Sequence, residues 1–204
     1  MEEKKEYYLE EIGKLFLRYG VSGITMEEIA KKIGISKKTI YNYFDCKADI
    51  IELLISRHYK ELNKAVLEIV SNANNAIEIF VKIAGLIKET NQAASLFVRR
   101  DLIKHFPHIV EKINNDNKTA AFNGIKKNIL VGIKQGVYRS NINVELITRI
   151  FVNSLNQLMI QEIMEEKEVF IDTYYDEILS YHIHGIATPK GVEILNEILN
   201  ANKK

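Results

Sequence analysis

The sequence predicts an all-α fold. A compact helical unit of about 45 residues comes first and a larger helical bundle follows, with about nine to ten helices in total. Three observations carry this. Apolar residues recur at steps of three and four almost throughout, and no segment shows the alternation of a strand. Only two prolines, Pro107 and Pro189, interrupt the 204 residues, which leaves room for long helices. Glycines and capping residues stand where the periodic runs begin and end.

The elements follow in order. Tyr8, Ile12, Leu15, Phe16 and Tyr19 lie at helical spacing over 3–19, and Gly20 stops the run. Thr25-Met-Glu-Glu28 has the form of a capping box and opens a short helix over 26–33, with Ile29, Ala30 and Ile33 inward. Gly34 suits a left-handed turn. Ser36 then caps a second short helix over about 37–43 with Ile40 inward and Phe44 just beyond. A long helix begins near Lys47, capped by Asp45 or Cys46 and with Asp49 in its first turn, and runs to about Val70. The polar stretch 71–76 reads as a turn. Helices are expected over 76–90, 92–105, 107–135, 144–166, 168–184 and 190–201, with Gly185 and Pro189 marking the last break. Without a Gly/Ser-rich linker, the domains expected at 1–46 and 47–204 are joined stiffly through the long helix.

Composition bounds the function. With 47% hydrophobic and 27% charged residues, the chain can bury a core, so disordered and collagen-like classes are excluded. One cysteine excludes a disulfide framework and a Cys-rich zinc module. The charged N-terminus lacks the apolar stretch of a signal peptide, and no apolar run is long enough to span a membrane. The expected compartment is the cytoplasm, with Cys46 reduced. The formal net charge of +1 gives no hint of a nucleic-acid partner.

The distribution of that charge does. Residues 31–47 hold Lys31, Lys32, Lys37, Lys38 and Lys47 against Asp45, a net +4 that leaves −3 for the rest. The cluster falls on two short helices joined by Gly34-Ile35-Ser36, the spacing of a helix-turn-helix. Ala30 is small enough for a close crossing, and Ile35 fills the corner. The second helix turns Lys37, Lys38, Thr39, Tyr41, Asn42 and Tyr43 outward, groups that serve phosphates and base edges. A Lys-rich solvated face is the competing reading. The capping box, the glycine turn and the aromatic helix together weigh against it.

These residues resemble the N-terminal domain of the TetR family of transcriptional regulators. LFLRYG with GITMEEIAKKIGIS matches the first helix, the first motif helix and the turn; KKTIYNYFDCKADI matches the recognition helix and the start of the linking helix. The resemblance covers roughly the first quarter of the chain, residues 8–54. NILVGIKQGVYRSNINVELITRIF also resembles the junction before the dimerisation helices of many members.

The resemblance implies a homodimer on a palindromic DNA operator, with an unknown small-molecule effector bound in the C-terminal bundle. It places Thr25 and Met26 where the first motif helix meets the DNA backbone. It puts Lys37, Lys38 and Thr39 at the opening of the recognition helix, Tyr41 and Tyr43 at aromatic contact positions, and Lys47 at a backbone-contacting lysine. Asn42, with Lys38, Thr39 and Tyr41, is a candidate for base edges. Cys46 departs from the usual capping serine, and Glu28 is expected to cap rather than to read DNA.

Other signals are weaker. His182 and His184 point to different helix faces, and His105 and His108 span Pro107, so no metal site is expected. No phosphate-loop, dinucleotide or zinc-protease motif occurs, and no nucleophile–base pair supports an enzyme. No cofactor is expected. Arg99-Arg100 within an apolar helix reads either as the lining of an anionic pocket or as a partly exposed salt-bridged pair. Phe80, Phe97, Phe106, Phe122 and Tyr138 suit a hydrophobic effector, and equally a plain core.

Helix 144–166 carries Leu146, Ile150, Phe151, Leu155, Leu158, Met159 and Met164. Helix 168–184 carries Phe170, Tyr174, Ile178, Leu179, Tyr181 and Ile183. Both are apolar over more than one face, which fits a four-helix interface between two subunits, or burial within one. The reading is therefore a DNA-binding repressor released by its effector. An activator of the same fold and a helical ligand-binding module without DNA stay open as alternatives.

Overall fold

The computed structural model describes residues 2–93, 96–164 and 171–201. These form α1 (Glu2–Tyr19), α2 (Met26–Lys32), α3 (Lys37–Tyr41), α4 (Lys47–Asn72) and α5 (Ala76–Ala93). Then come α6 (Leu96–His105), α7 (Pro107–Lys134), α8 (Val144–Met164), α9 (Ile171–Ile186) and α10 (Pro189–Ala201). The all-α expectation holds among these residues, apart from one isolated β-bridge between Tyr138 and Ala187. Several boundaries move. The recognition helix ends at Tyr41 rather than near residue 43, α5 runs on to Ala93, α6 begins at Leu96 rather than at 92, and α9 continues through Gly185 to Ile186. No helix of the described residues is long and apolar enough to cross a membrane.

Packing divides the chain into two units, residues 1–64 with 92–115, and residues 65–91 with 116–204. The first unit therefore does not stop at residue 46. Ile50 and Ile51 of α4 are buried in the same core as Leu9, Ile12 and Phe16 of α1, Ile29 and Ala30 of α2, and Ile40 of α3. Val98 of α6 and Ile109 of α7 complete that core, which Leu102 and Phe106 flank. Asp101 adds a polar tie: one carboxylate oxygen accepts from the Ser22 N–H at 2.6 Å, the other from its hydroxyl at 2.5 Å. Burial alone would raise the Asp101 pKa, but the Ser22 hydroxyl and the Ser22 and Val21 amides outweigh it and hold the carboxyl below its ordinary range. Sequence periodicity could not reveal this tie, because 79 residues separate its partners.

The second unit has its own core of Ala76, Ile77, Phe80, Ile129, Val137, Tyr138, Phe151, Ile183, Ile186 and Leu195. Here the segment after α7 is bound to the turn before α10. Arg139 N–H donates to the Ile186 carbonyl at 2.8 Å, and Thr188 N–H to the Val137 carbonyl at 3.0 Å. Tyr138 is buried, and its hydroxyl donates to Asn128 Oδ1 at 3.3 Å while Asn128 Nδ2 donates to the Ala76 carbonyl. These contacts make Tyr138 part of the core, the plainer of its two sequence readings.

Gly191 lets α10 approach that seam. A Cβ there would lie 2.2 Å from the Val137 carbonyl oxygen, a backbone atom that cannot swing aside. Gly191→Ala is expected to cost about 1–3 kcal/mol of stability, the range for overpacking a well-filled site. Urea unfolding of the purified variant checks this; an unchanged midpoint would show that the seam yields freely.

Candidate nucleic-acid interface

The helix-turn-helix is built by local hydrogen bonds. Thr25 Oγ1 accepts from the Glu28 N–H at 3.2 Å, and Glu28 Oε2 accepts from the Thr25 N–H at 2.8 Å, completing a reciprocal capping box. The Thr25 amide and hydroxyl hold the Glu28 carboxyl below its ordinary pKa. Glu28 is thus engaged as a cap. α2 ends in a Schellman turn: Ile35 N–H donates to the Ala30 carbonyl at 2.9 Å, and Gly34 N–H to the Lys31 carbonyl at 3.3 Å. Gly34 takes φ +76°, which glycine adopts without steric cost. Ser36 Oγ then accepts from the Thr39 N–H at 3.0 Å and starts α3. Ile40 fixes that five-residue helix to the core, where it is fully buried.

This anchoring decides what α3 can present. Lys38, Tyr41 and Asn42 are exposed, Tyr41 at 44%. Lys37 is exposed too, but its ammonium pairs with Glu27 across the two motif helices, and that carboxylate raises the lysine pKa. Thr39 is half-buried, and its hydroxyl lies 2.8 Å from Ser36 Oγ.

Three expectations change at this point. Met26 is buried in the core, so its side chain is withdrawn from the surface. Tyr43 is half-buried, its ring 5.2 Å from that of Tyr8 in an edge-on contact, rather than fully outward. Lys47 donates to the Val21 carbonyl at 2.9 Å, and partial burial draws its pKa down, against the pull of Asp101 and Glu28. Lys32 turns to α1, donating to the Tyr19 hydroxyl at 3.2 Å with its ammonium 4.3 Å above the ring. The +4 cluster is therefore not one open patch. Its unengaged centre on α3 is Lys38, beside Tyr41 and Asn42.

At the start of α4, the Ile50 N–H donates to the Cys46 carbonyl at 3.4 Å, which makes Cys46 the capping residue. Asp49 reaches back to the Asp45 N–H at 3.3 Å, supplying the polar contact expected near this cap.

A short helix with an exposed cation, aromatic and amide, set on a buried isoleucine behind a tight glycine turn, has the build of a DNA recognition helix. Residues 9–54 match the family model described as bacterial regulatory proteins, tetR family. Over these residues the chain is similar to the TetR family. It is a DNA-binding transcriptional regulator. It is 24% identical over 178 residues to the HTH-type transcriptional repressor KstR2 of Rhodococcus jostii (strain RHA1), covering 86% of this chain and 87% of that protein. Its fold matches a transcriptional regulator from Cytophaga hutchinsonii ATCC 33406 with a TM-score of 0.76 at 20% identity, over 91% of this chain and 99% of that one. It also matches the ketosteroid transcriptional regulator KstR2 of Mycobacterium tuberculosis, with a TM-score of 0.57 at 19% identity, over 91% and 95% of the two chains.

Proposed function

We propose that this TetR-family regulator is a homodimeric cytoplasmic repressor, not an enzyme, that leaves a palindromic operator when a small effector binds its C-terminal bundle. The single observation that carries the DNA-binding face is α3, which holds Lys38, Tyr41 and Asn42 exposed while Ile40 is fully buried. In this reading residues 1–46 contact DNA and residues 47–204 hold the effector and the dimer contacts. Lys38, Tyr41 and Asn42 meet base edges in the major groove. Thr25, Lys37, Thr39 and Tyr43 flank them along the phosphates, Lys37 exchanging Glu27 for a phosphate oxygen. Lys47 reaches phosphate only by giving up the Val21 carbonyl, so its contribution is secondary.

The dimer reading is supported by the surface of α8 and α9. Leu146 and Ile150, one helical turn apart on α8, are each 52% exposed, and Tyr181 of α9 is 84% exposed. Large apolar side chains left in water on two helices that pack on each other suit burial against a second copy. The side chains of Phe97, Leu158, Met159, Met164, Phe170 and Tyr174, which entered the sequence reading, fall outside the described residues. A relative named as a repressor favours repression over activation. Effector binding would act by favouring a separation of the two recognition helices that misfits the operator.

Band shift with the DNA upstream of its own gene tests the reading, with a retarded complex expected at low salt. Tyr41→Ala should weaken specific binding by about 1–3 kcal/mol while leaving binding to random DNA nearly unchanged. Equal losses on both DNAs would make Tyr41 a backbone contact, and no complex with the wild type at low salt would end the repressor reading.

A further inference from the structure

The motif helices carry two acids, Glu27 and Glu28, both on α2. Glu28 is engaged by the Thr25 amide and hydroxyl and is held at the start of its helix. Glu27 lies outside that box. Its carboxylate reaches across to α3 and accepts from the ammonium of Lys37, the first residue of the recognition helix. Both side chains stay open to solvent, 65% exposed for Glu27 and 61% for Lys37. Lys37 and Tyr41 are four residues apart on α3 and so share one helix face. The pair therefore holds a carboxylate on the face whose Tyr41, in the reading above, meets base edges.

A carboxylate in that place opposes binding to most DNA. Phosphates repel it, and guanine O6 and N7 and thymine O4 are acceptors that cannot satisfy it. Paired with Glu27, Lys37 brings no net charge to a phosphate and so releases no counterion. The major groove does offer donors, the amino groups of cytosine N4 and adenine N6. Adenine sets its N7 acceptor beside the amino group, which repels a carboxylate; cytosine itself presents no acceptor in that groove.

We propose that Glu27 is a specificity-determining residue of the DNA contact: it accepts from the N4 amino group of one cytosine in each operator half-site, and this transfer frees Lys37 for a phosphate. The inference deepens the operator-binding reading and rests on it. On sequences without the cytosine the pair stays closed, so Glu27 also weakens binding to wrong DNA. An exposed ion pair in water is weak enough to exchange in this way.

Two measurements on the full chain test it. In the first, wild type, Glu27→Gln and Glu27→Ala each select sites from a random-sequence duplex pool. The wild type should fix a cytosine at one position of each half-site. A glutamine pairs bidentately with adenine N6 and N7, so Glu27→Gln should select adenine there, and Glu27→Ala should lose discrimination at that position by about tenfold. Identical selected sites for all three proteins overturn the base contact. The second measurement is the salt dependence of binding to a random-sequence duplex. Glu27→Ala should bind about 2–5-fold tighter than wild type at equal salt, and its log affinity should fall with log salt more steeply by about one unit. Adding Lys37→Met to Glu27→Ala should cancel that gain, because the released ammonium is its source. Wild-type slope and affinity in Glu27→Ala, or a gain that survives the loss of Lys37, overturn the proposal. The selection also separates the two levels. A site enriched by wild type and followed unchanged by both Glu27 variants sinks this inference alone, and a wild type that enriches no site sinks the operator-binding reading beneath it.

Discussion

Ile40→Ala is expected to lower the unfolding free energy by about 2–5 kcal/mol, the range for truncating a fully buried isoleucine. Ile40 is completely buried and is the buried residue of α3. The helix is five residues long, far too short to persist alone in water. It stands because the Schellman turn at Gly34 aims it, Ser36 caps it, and Ile40 seats it against Ile29 and Ala30 of α2. The variant should therefore lose both stability and operator affinity. Tyr41→Ala, at a side chain 44% exposed, should lose affinity with little change in the urea midpoint. Urea unfolding and band shift on the two variants separate seating from contact. An Ile40→Ala protein with wild-type midpoint and affinity would show that the recognition helix is held by its caps alone.

The second large effect is a pH dependence from His182. Its ring is buried in the second unit, 4.0 Å from the Phe151 ring and 5.4 Å from that of Phe80. Its Nε2 has no hydrogen-bond partner among the described residues. Burial disfavours the charged form and pulls the imidazole pKa from 6.5 down to about 4. The unfolded chain takes up this proton as pH falls through 6.5, whereas the folded chain resists until about 4. Between these values the unfolded state binds more protons, so stability rises with pH across the window and is lost as pH falls. The contribution, fully present above 6.5, amounts to about 3 kcal/mol. His182→Phe removes the titrating group and should flatten this dependence. Urea unfolding at about pH 7 and about pH 4.5 reads the difference between the two proteins. Equal losses in both on acidification would place the acid-labile group elsewhere.

The sequence was most informative where partners are close along the chain. The capping box joins Thr25 to Glu28, the turn joins Ala30 to Ile35, and Ser36 caps Thr39; each pair lies within about one or two helical turns of chain, so its chemistry is written in the local order. Helical periodicity named Ile29, Ala30, Ile33 and Ile40 as inward; Ile29, Ala30 and Ile40 are buried, and Ile33 is partly so. The start of α7 at Pro107 and of α8 at Val144 followed from the same kind of signal.

Side-chain engagement was not legible in that way. Lys31, Lys32, Lys37, Lys38 and Lys47 look alike in sequence. In the fold Lys37 meets Glu27, Lys32 meets Tyr19, Lys47 meets the Val21 carbonyl, and Lys38 is left to the surface. Met26 sits at a helix start, where a backbone contact to DNA is plausible from position, and packing against residues distant in sequence buries it. Arg99 and Arg100 could be read from the sequence as pocket or as surface, and in the fold both are half-buried.

The sequence by itself therefore determined the helices, the helix-turn-helix and the likeness of residues 9–54 to the TetR family, because these depend on periodicity, caps and turn residues within a few positions. The tertiary structure decided which cations remain open, that α6 and the start of α7 join the DNA-binding core through Asp101, Val98 and Ile109, and where buried polar atoms lack partners. Those outcomes depend on neighbours brought together from tens of residues away. Burial and pairing belong to such contacts, and no local pattern encodes them.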